Sequence, residues 1–304
     1  MFSALISGSA LAATVYKTDD AELKVGGRAE AAFNISDDNE SDETSAFKDK
    51  SKARVNLVGK TNISDNLYGF GKYESEFTTD SDDTSTINNR YFFAGLGTSF
   101  GEFSYGKQDS AQVQVTDFTD MMNTFDEAAA DLIDANKDKR KNNFVYSGKF
   151  DALSVKANYI ASEQKDNNSF GASAVYGFDF GLKLGLGYTS QDQGTLSEDQ
   201  LNFGVQYKLK ALTLGAIYGT GTKVSNDAEV DAEMYELATK YSFGSTTLIA
   251  AYNYQQVDSA DTKDQIALEV EHKFNSSLRT YAGYMLQQLD NKDNQLQAGI
   301  RYDF

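Results

Sequence analysis

Hydrophobic and polar residues alternate along most of the chain, and the last eleven positions show the pattern most clearly. From Leu296 to Phe304 every second side chain is apolar, and polar residues or glycine fill the positions between. Because side chains alternate faces along an extended strand, this pattern predicts a strand with one apolar and one polar face. A closed barrel would pair such a strand on both edges. In lipid this closure is compulsory, because unpaired backbone groups at a sheet edge would find no hydrogen-bond partner. The last strand of a soluble sandwich is the alternative.

The same alternation recurs along the whole chain and predicts an all-β protein. Clear examples are residues 23–35, 182–188, 201–207 and 212–218. Counting these segments gives about sixteen strands of about ten residues, the length that crosses a bilayer when tilted. We therefore expect a transmembrane antiparallel β-barrel that forms a single domain over residues 14–304.

The predicted connections differ in length between the two ends of the strands. Short turns alternate with long polar loops, and we expect such loops at residues 109–141, 163–169, 191–199, 221–232, 258–264 and 290–294. Long loops at one end and tight turns at the other are typical of outer-membrane barrels, whereas a soluble sandwich does not require that asymmetry.

Residues 109–141 are too long and too mixed in character for a simple hairpin loop. Within them, residues 124–133 are predicted to form a short helix with Thr124 or Asp126 as its N-cap. Long structured loops are usually functional, and in a barrel the natural place for one is the lumen.

Composition excludes several function classes. The 304 residues contain no proline and no cysteine, so there is no disulfide framework, thiolate nucleophile or cysteine-based zinc site. The net charge of −17 argues against a nucleic-acid partner. The oxygen-rich run at Asp80, Asp82 and Asp83 lacks the twelve-position calcium-loop pattern, and we expect no metal and no cofactor.

The first residues are predicted to be a signal-peptide remnant covering residues 1–13. The run is apolar and rich in small residues, and Ala10-Leu11-Ala12 fits a signal-peptidase site. The alternative is a short N-terminal segment that packs against the domain or extends freely from it.

Several segments resemble a known family in their order and spacing. Residues 89–96 (NRYFFAGL), 101–107 (GEFSYGK) and 118–122 (FTDMM) resemble the fourth and fifth strands and the constriction loop of Gram-negative general diffusion porins. Residues 53–61 resemble the family's second strand, and the aromatic end Tyr302-Asp303-Phe304 resembles its terminal strand.

The resemblance implies a sixteen-stranded barrel, a homotrimer and a constriction loop folded into the lumen. In this family a basic cluster on the barrel wall faces acidic residues on that loop. The matching wall positions are Arg28, Arg54 and Arg90, and each also lies on the polar face of its strand by the alternation.

On the loop, Asp120 matches the family's acidic residue best. The family's usual glutamate position falls on Thr124, and we expect Asp126 and Glu127 to supply the charge instead. Phe304 matches the terminal aromatic residue that serves the family as an assembly signal.

These features predict passive diffusion of small hydrophilic solutes and ions through a water-filled channel in the outer membrane of a Gram-negative bacterium. The excess of carboxylates predicts a weak cation preference. Expected partners are outer-membrane lipids and lipopolysaccharide.

Three other functions compete with this prediction. An enzyme needs a general base, but the single histidine, His272, lies on the apolar face of its strand. A substrate-specific channel would show a ladder of aromatic residues along the lumen, and the inward positions that the alternation identifies are mostly charged or amide. A barrel adhesin is the third.

Tyr91, Phe93 and Gly95 are expected to point outward, toward lipid or a second subunit.

Overall fold

The computed structural model describes residues 12–78, 86–125 and 130–304. In that part of the chain one antiparallel sheet contains all the strands. They are β1 (Ala13–Lys17), β2 (Ala21–Ile35), β3 (Phe47–Asp49), β4 (Lys52–Ser64), β5 (Leu67–Thr78), β6 (Thr86–Thr98), β7 (Gly101–Gln108), β8 (Arg140–Phe150), β9 (Leu153–Ile160), β10 (Ser169–Gly177), β11 (Leu182–Gln193), β12 (Leu196–Leu209), β13 (Leu212–Ser225), β14 (Ala228–Phe243), β15 (Thr246–Val257), β16 (Ala260–Lys273), β17 (Leu278–Gln287) and β18 (Gln295–Asp303).

The sheet closes on itself because the last strand pairs with the first long one. Leu296 to Asp303 of β18 run antiparallel to Ile35 to Arg28 of β2. The short β1 pairs with the first residues of β2, just beyond the point where β18 ends. The short β3 pairs with the last residues of β2. The barrel therefore has sixteen long strands, as the sequence predicted.

The sheet is apolar on its outer face and polar on its inner face, which is the reverse of the arrangement in a soluble protein. On β12 the outward Phe203 is 48% exposed, while the inward Gln200 and Asn202 are completely buried. On β16, Leu268 is 50% exposed and its inward neighbour Glu269 only 3%. Apolar outside and polar inside is the arrangement that hydrocarbon requires, because backbone and polar groups must be satisfied internally.

Three of the predicted long loops are wrong. In the structure the flanking strands are longer than predicted, and a two-residue turn joins each pair. Asn226 and Asp227 both adopt left-handed φ values, of 50° and 59°, and join β13 to β14. Asp258 and Ser259 do the same between β15 and β16, and Gly194 with φ +67° lies between β11 and β12. Such conformations at both central positions match the right-handed twist of long hairpins. The polar residues assigned to loops 191–199, 221–232 and 258–264 therefore continue the ladders.

A β-bulge in β6 overturns one orientation taken from the sequence. Glu74 pairs with Tyr91 but Ser75 pairs with Asn89, so Arg90 is an extra residue. Both Arg90 and Tyr91 consequently project into the lumen, and every later residue of β6 changes face. Tyr91, Phe93 and Gly95 point inward, whereas Phe92 (66% exposed) and Leu96 (50%) point outward.

Helical structure is minor in the described segments. One four-residue α-helix, α1 (Val113–Thr116), and two 3₁₀ turns at Asp37–Asn39 and Asp134–Asn136 occur there. None of these helices has the length and apolar character to cross a membrane.

Candidate functional site

The described residues of the long connection between β7 and β8, 109–125 and 130–139, lie inside the barrel. Its helix α1 rests against the inner faces of β10, β11 and β12. Glycines make this close approach possible: a Cβ on Gly204 would lie 2.9 Å from Val115, and one on Gly215 would lie 2.1 Å from the Phe118 carbonyl oxygen. The constriction loop is thus folded into the lumen, as predicted.

Buried acidic residues on the wall anchor the loop backbone. Glu269 accepts hydrogen bonds from the backbone N–H groups of Asn123 (2.9 Å) and Thr124 (2.7 Å), and from the Thr124 hydroxyl at 2.7 Å. Glu236 accepts from the Ala130 N–H at 2.9 Å and from the Thr119 hydroxyl. Charge-assisted bonds to backbone donors are the stronger kind, so these carboxylates fix the path of the loop.

The hydrophobic core of the described residues lies between this loop and the wall. Phe118, Leu132 and Ile133 of the loop pack against Ile217 of β13 and Met234 of β14. This core lies inside a barrel whose exterior is apolar, and its close packing holds the loop against the inner wall.

The helix predicted for residues 124–133 is not supported by the described residues, since 124–125 and 130–133 are not helical. Their backbone N–H groups donate to side chains of the barrel wall instead. The N–H of Thr124 donates to Glu269, that of Ala130 to Glu236, and that of Leu132 to Gln200 at 3.1 Å. The predicted acidic residues Asp126 and Glu127 lie outside the described residues, as do Asp80, Asp82 and Asp83.

The three predicted wall arginines lie together on the inner surface. Arg28 and Arg54 are direct neighbours across the β2–β4 ladder. The Arg54 guanidinium donates to Glu76, and Arg90 donates to Glu74 at 2.9 Å and to Glu76 at 3.4 Å. Each of these arginines is thus held beside a carboxylate; Arg28 lies 3.3 Å from Glu30.

The charged band continues onto strands that the sequence did not single out. Arg279 on β17 is directly opposite Arg301 on β18, and it donates to Asp303 at 3.0 Å and to Glu271 at 3.3 Å. Arg301 lies 3.3 Å from Asp303. The polar face of the terminal strand already carried the signal for Arg301 and Asp303, but only barrel closure places them beside Arg28.

The loop presents its own acidic residues on the side away from the wall it covers. Asp117 and Asp120 are exposed to the lumen, and Asp109 accepts from the Tyr91 hydroxyl at 3.0 Å. Asp120 was predicted from the sequence, whereas Asp109 and Asp117 were not. Although Asp117 is open to the lumen, limited hydration within the barrel, together with the nearby carboxylates of Asp109 and Asp120, raises its pKa to about 7.

Asp117 and Asp120, unlike Asp109, therefore lie across the opening from the wall arginines. The loop is anchored on strands β9 to β16, while the arginines project from β17, β18, β2, β4 and β6. Opposed rows of cations and carboxylates create a transverse electric field across a narrow aqueous passage.

The single histidine is on the outer face, as predicted. His272 hydrogen-bonds to the Thr246 hydroxyl through Nδ1 at 3.0 Å and packs edge-on against Phe274. Phe304 lies at the barrel seam: its N–H and C=O pair with Gly27 at 3.0 and 2.8 Å, and its ring stacks on Tyr302.

Comparison with known proteins agrees with this architecture. A family profile described as Gram-negative porin matches residues 1–294. Porin-like protein L of Photobacterium profundum is 35% identical, over 99% of this chain and 97% of its own length. Outer membrane protein U of Vibrio parahaemolyticus is 33% identical, over 96% and 94% respectively.

Two solved structures share the fold. OmpF of Salmonella typhi, in complex with daunomycin, superimposes with a TM-score of 0.81 at 18% identity, covering 95% of this chain and 99% of that one. OmpT of Vibrio cholerae in its trimer form gives 0.76 at 20% identity, covering 94% and 100%. The chain belongs to the Gram-negative porin family, whose members are outer-membrane channels rather than enzymes.

Proposed function

We propose that this porin is a general diffusion channel through which small hydrophilic solutes and ions pass down their gradients. The observation that carries the proposal is the loop anchored inside the barrel opposite the arginine band. That arrangement narrows a polar passage and filters by size and charge, without a saturable chemical step. Purified protein added to a planar lipid bilayer should produce discrete, ohmic conductance steps. Absence of such steps from correctly folded protein would contradict the proposal.

A weak cation preference is part of the proposal. Each wall arginine has a carboxylate beside it, so the net charge of the wall is close to zero. The loop carboxylates Asp117 and Asp120 then make the net charge of the passage negative. The net charge of −17 adds a negative potential at the mouths, which salt screens. A reversal potential measured in a KCl gradient should indicate cation preference that weakens at high salt; anion preference would overturn it.

The assembly is proposed to be a homotrimer. OmpT of V. cholerae is described in a trimer form. On the present chain, an outward groove of about 510 Å³ runs across β18, β2, β4 and β5, with Ala29, Ala31 and Ala53 among its lining residues. Small residues let a neighbouring barrel approach closely. Chemical cross-linking in native membranes should give a trimer ladder.

Lipids and lipopolysaccharide are proposed as the other partners of the outer surface. Its exposed rings and aliphatic side chains, such as Phe203 and Leu268, suit acyl chains. The acidic external loops would meet lipopolysaccharide through divalent cations. Delipidated and native protein compared by mass spectrometry would test for retained lipopolysaccharide.

The chain's two ends are proposed to carry its processing and assembly signals. Cleavage near Ala12 or Ala13 would remove the signal remnant 1–13. Among the residues that the structure describes, the first strand pairing is that of Ala13 with Val25. N-terminal sequencing of the membrane-bound protein tests this. Phe304 is proposed as the insertion signal.

A substrate-specific channel and an adhesin remain as alternatives. Linear polyols that permeate without saturation favour general diffusion, whereas no flux at all favours an adhesin. One observation favours a degree of specificity, namely a row of inward aromatic rings.

A further inference from the structure

Four aromatic side chains line one strip of the inner wall. We call Tyr91, Phe93, Phe70 and Tyr68 the lumenal aromatic ladder. Successive ring centroids are 6.4, 6.5 and 6.1 Å apart. The side-chain alternation predicts inward positions that are mostly charged or amide. That prediction is wrong for Tyr91 and Phe93, because the bulge at Arg90 turns both side chains inward.

Glycines on the neighbouring strand hold the lower rings in place. A Cβ on Gly95 would lie 2.7 Å from the Phe70 ring, and one on Gly97 would lie 2.1 Å from the Tyr68 ring. These rings therefore lie across β6 rather than projecting freely into the lumen. Phe70 is only 8% exposed, so it supports its neighbours, while Tyr68, Phe93 and Tyr91 are partly exposed.

Charged groups lie over the two end rings and beside them, which leaves Phe93 as the partly exposed ring that no ammonium group of the described residues covers. The Lys72 ammonium lies 3.8 Å from the centre of the Tyr91 ring, and the Lys60 ammonium lies 3.7 Å from that of Tyr68. On the opposite side Glu102 accepts from the Tyr68 hydroxyl at 2.5 Å. Ammonium groups supply several hydrogen-bond donors each and a carboxylate several acceptor sites. Donors and acceptors therefore border an apolar strip in which successive ring planes are inclined by 72°, 77° and 46°.

This combination selects a ligand with a flat C–H face and a rim of hydroxyl groups. A purely apolar ring could stack on the strip, but it would displace water from the flanking charged groups without replacing the hydrogen bonds that the water makes. A fully polar linear solute would satisfy the charges and gain nothing from the rings. Cyclic sugars have both features, because C–H groups cover a pyranose face and hydroxyls surround it.

We propose that the lumenal aromatic ladder is a weak binding subsite for pyranose sugars. The proposal rests on the proposed function, since the sugar must enter the lumen. The ladder runs from the level of Glu74 and Arg90 toward the short turn after Ser64, which in an outer-membrane barrel is the periplasmic end. A sugar that passes the charged constriction therefore meets the rings next.

The test is block of ion current by maltose in planar bilayers. Bound neutral sugar displaces water and ions, so conductance should fall saturably as maltose is added. Phe93→Ala should raise the half-blocking concentration by about 5-fold, since aromatic stacking is lost. The matched control is Phe92→Ala, which removes the adjacent ring from the lipid face and should leave the block unchanged. Phe93→Tyr keeps a ring and should retain the block.

The outcomes separate this inference from the proposed function. Normal conductance in KCl with a block that does not saturate, or that is identical in wild type and Phe93→Ala, overturns the sugar subsite and leaves the channel intact. Saturable block by benzyl alcohol but not by maltose also overturns it, because the rings would then bind only apolar solutes. Absence of conductance in all variants contradicts the channel itself.

Discussion

Glu269 and Thr124 are joined by two hydrogen bonds of 2.7 Å, one from the backbone N–H of Thr124 and one from its hydroxyl. They are 145 residues apart in the chain. The carboxylate also accepts from both nitrogens of Asn123. This contact attaches residues 123 and 124 of the inner loop to β16, and we expect it to control how much of the lumen remains open.

The first prediction concerns this contact. Glu269→Gln places an amide among four donors, so at least one bond is lost at a cost of about 1.5–3 kcal/mol. We expect the loop tip to move, with noisier open-channel current and a changed single-channel conductance in planar bilayers. Glu229→Gln, which alters an exposed carboxylate near the strand ends, is the control. Identical current traces for wild type and Glu269→Gln would contradict the anchoring role.

The second prediction concerns the charged band. Glu76 lies between Arg54 and Arg90 and interacts with both. Glu76→Gln leaves those guanidinium groups with less compensation, so cation preference should fall. The reversal potential in a KCl gradient measures the change. Glu43→Gln removes the same charge from an exposed loop, and it should have a much smaller effect because solvent screens that loop.

The third prediction is a pH dependence of ion selectivity. The pKa of Asp117 is raised to about 7, by limited hydration and then by Asp109 and Asp120. The pKa of Lys139 is lowered to about 8, by burial and then by Arg90. As pH rises from 6 to 9, Asp117 gains negative charge and Lys139 loses positive charge. Both changes raise cation preference, so the reversal potential should shift in that direction.

Asp117→Asn should remove the lower part of that pH curve and leave the upper part, which Lys139 supplies. Asp37→Asn, in an exposed loop, should leave the whole curve intact. A pH-independent reversal potential in the unmodified protein would show that neither group controls selectivity.

The fourth prediction concerns the glycines beneath the loop. A Cβ on Gly215 would come within 2.1 Å of the Phe118 carbonyl oxygen, so Gly215→Ala must displace the loop or the strand. We expect faster proteolysis of the loop in folded barrels and altered conductance. Gly59→Ala is a matched control, because its Cβ would meet only Leu23 at an ordinary 3.9 Å.

The fifth prediction concerns Phe304. Deleting it removes two backbone bonds to Gly27 and the stacking on Tyr302 at the seam. The fraction of chains assembled in the outer membrane should fall more than the conductance of those that do assemble. Normal assembly of the deletion variant would refute its role as a signal.

Local pattern predicted much of this structure because side-chain alternation is a local property. Arg28 and Arg54 were placed on the inner face correctly since their strands have no bulge before them. One extra residue at Arg90 was enough to misassign Tyr91 and Phe93, because a one-residue shift exchanges the two faces. Nothing in the short-range pattern marks an extra residue of this kind.

The loop anchors were not predictable for a different reason. Glu236 and Glu269 look like ordinary inward carboxylates, and their partners on the loop are more than a hundred residues away. The predicted helix at residues 124–133 followed local helix propensity, which these long-range hydrogen bonds override. The inward glycines Gly204 and Gly215 were the one available signal for a close-packed insert.

Liposome swelling with linear polyols and polyethylene glycols of increasing size tests the central claim most directly. Reconstituted wild-type protein should admit glycerol rapidly, with rates that fall with solute size, reach zero at a cutoff and do not saturate below it. Heat-denatured protein provides the baseline. If folded protein admits glycerol no faster than that baseline, the barrel is not an open diffusion channel and the account is wrong.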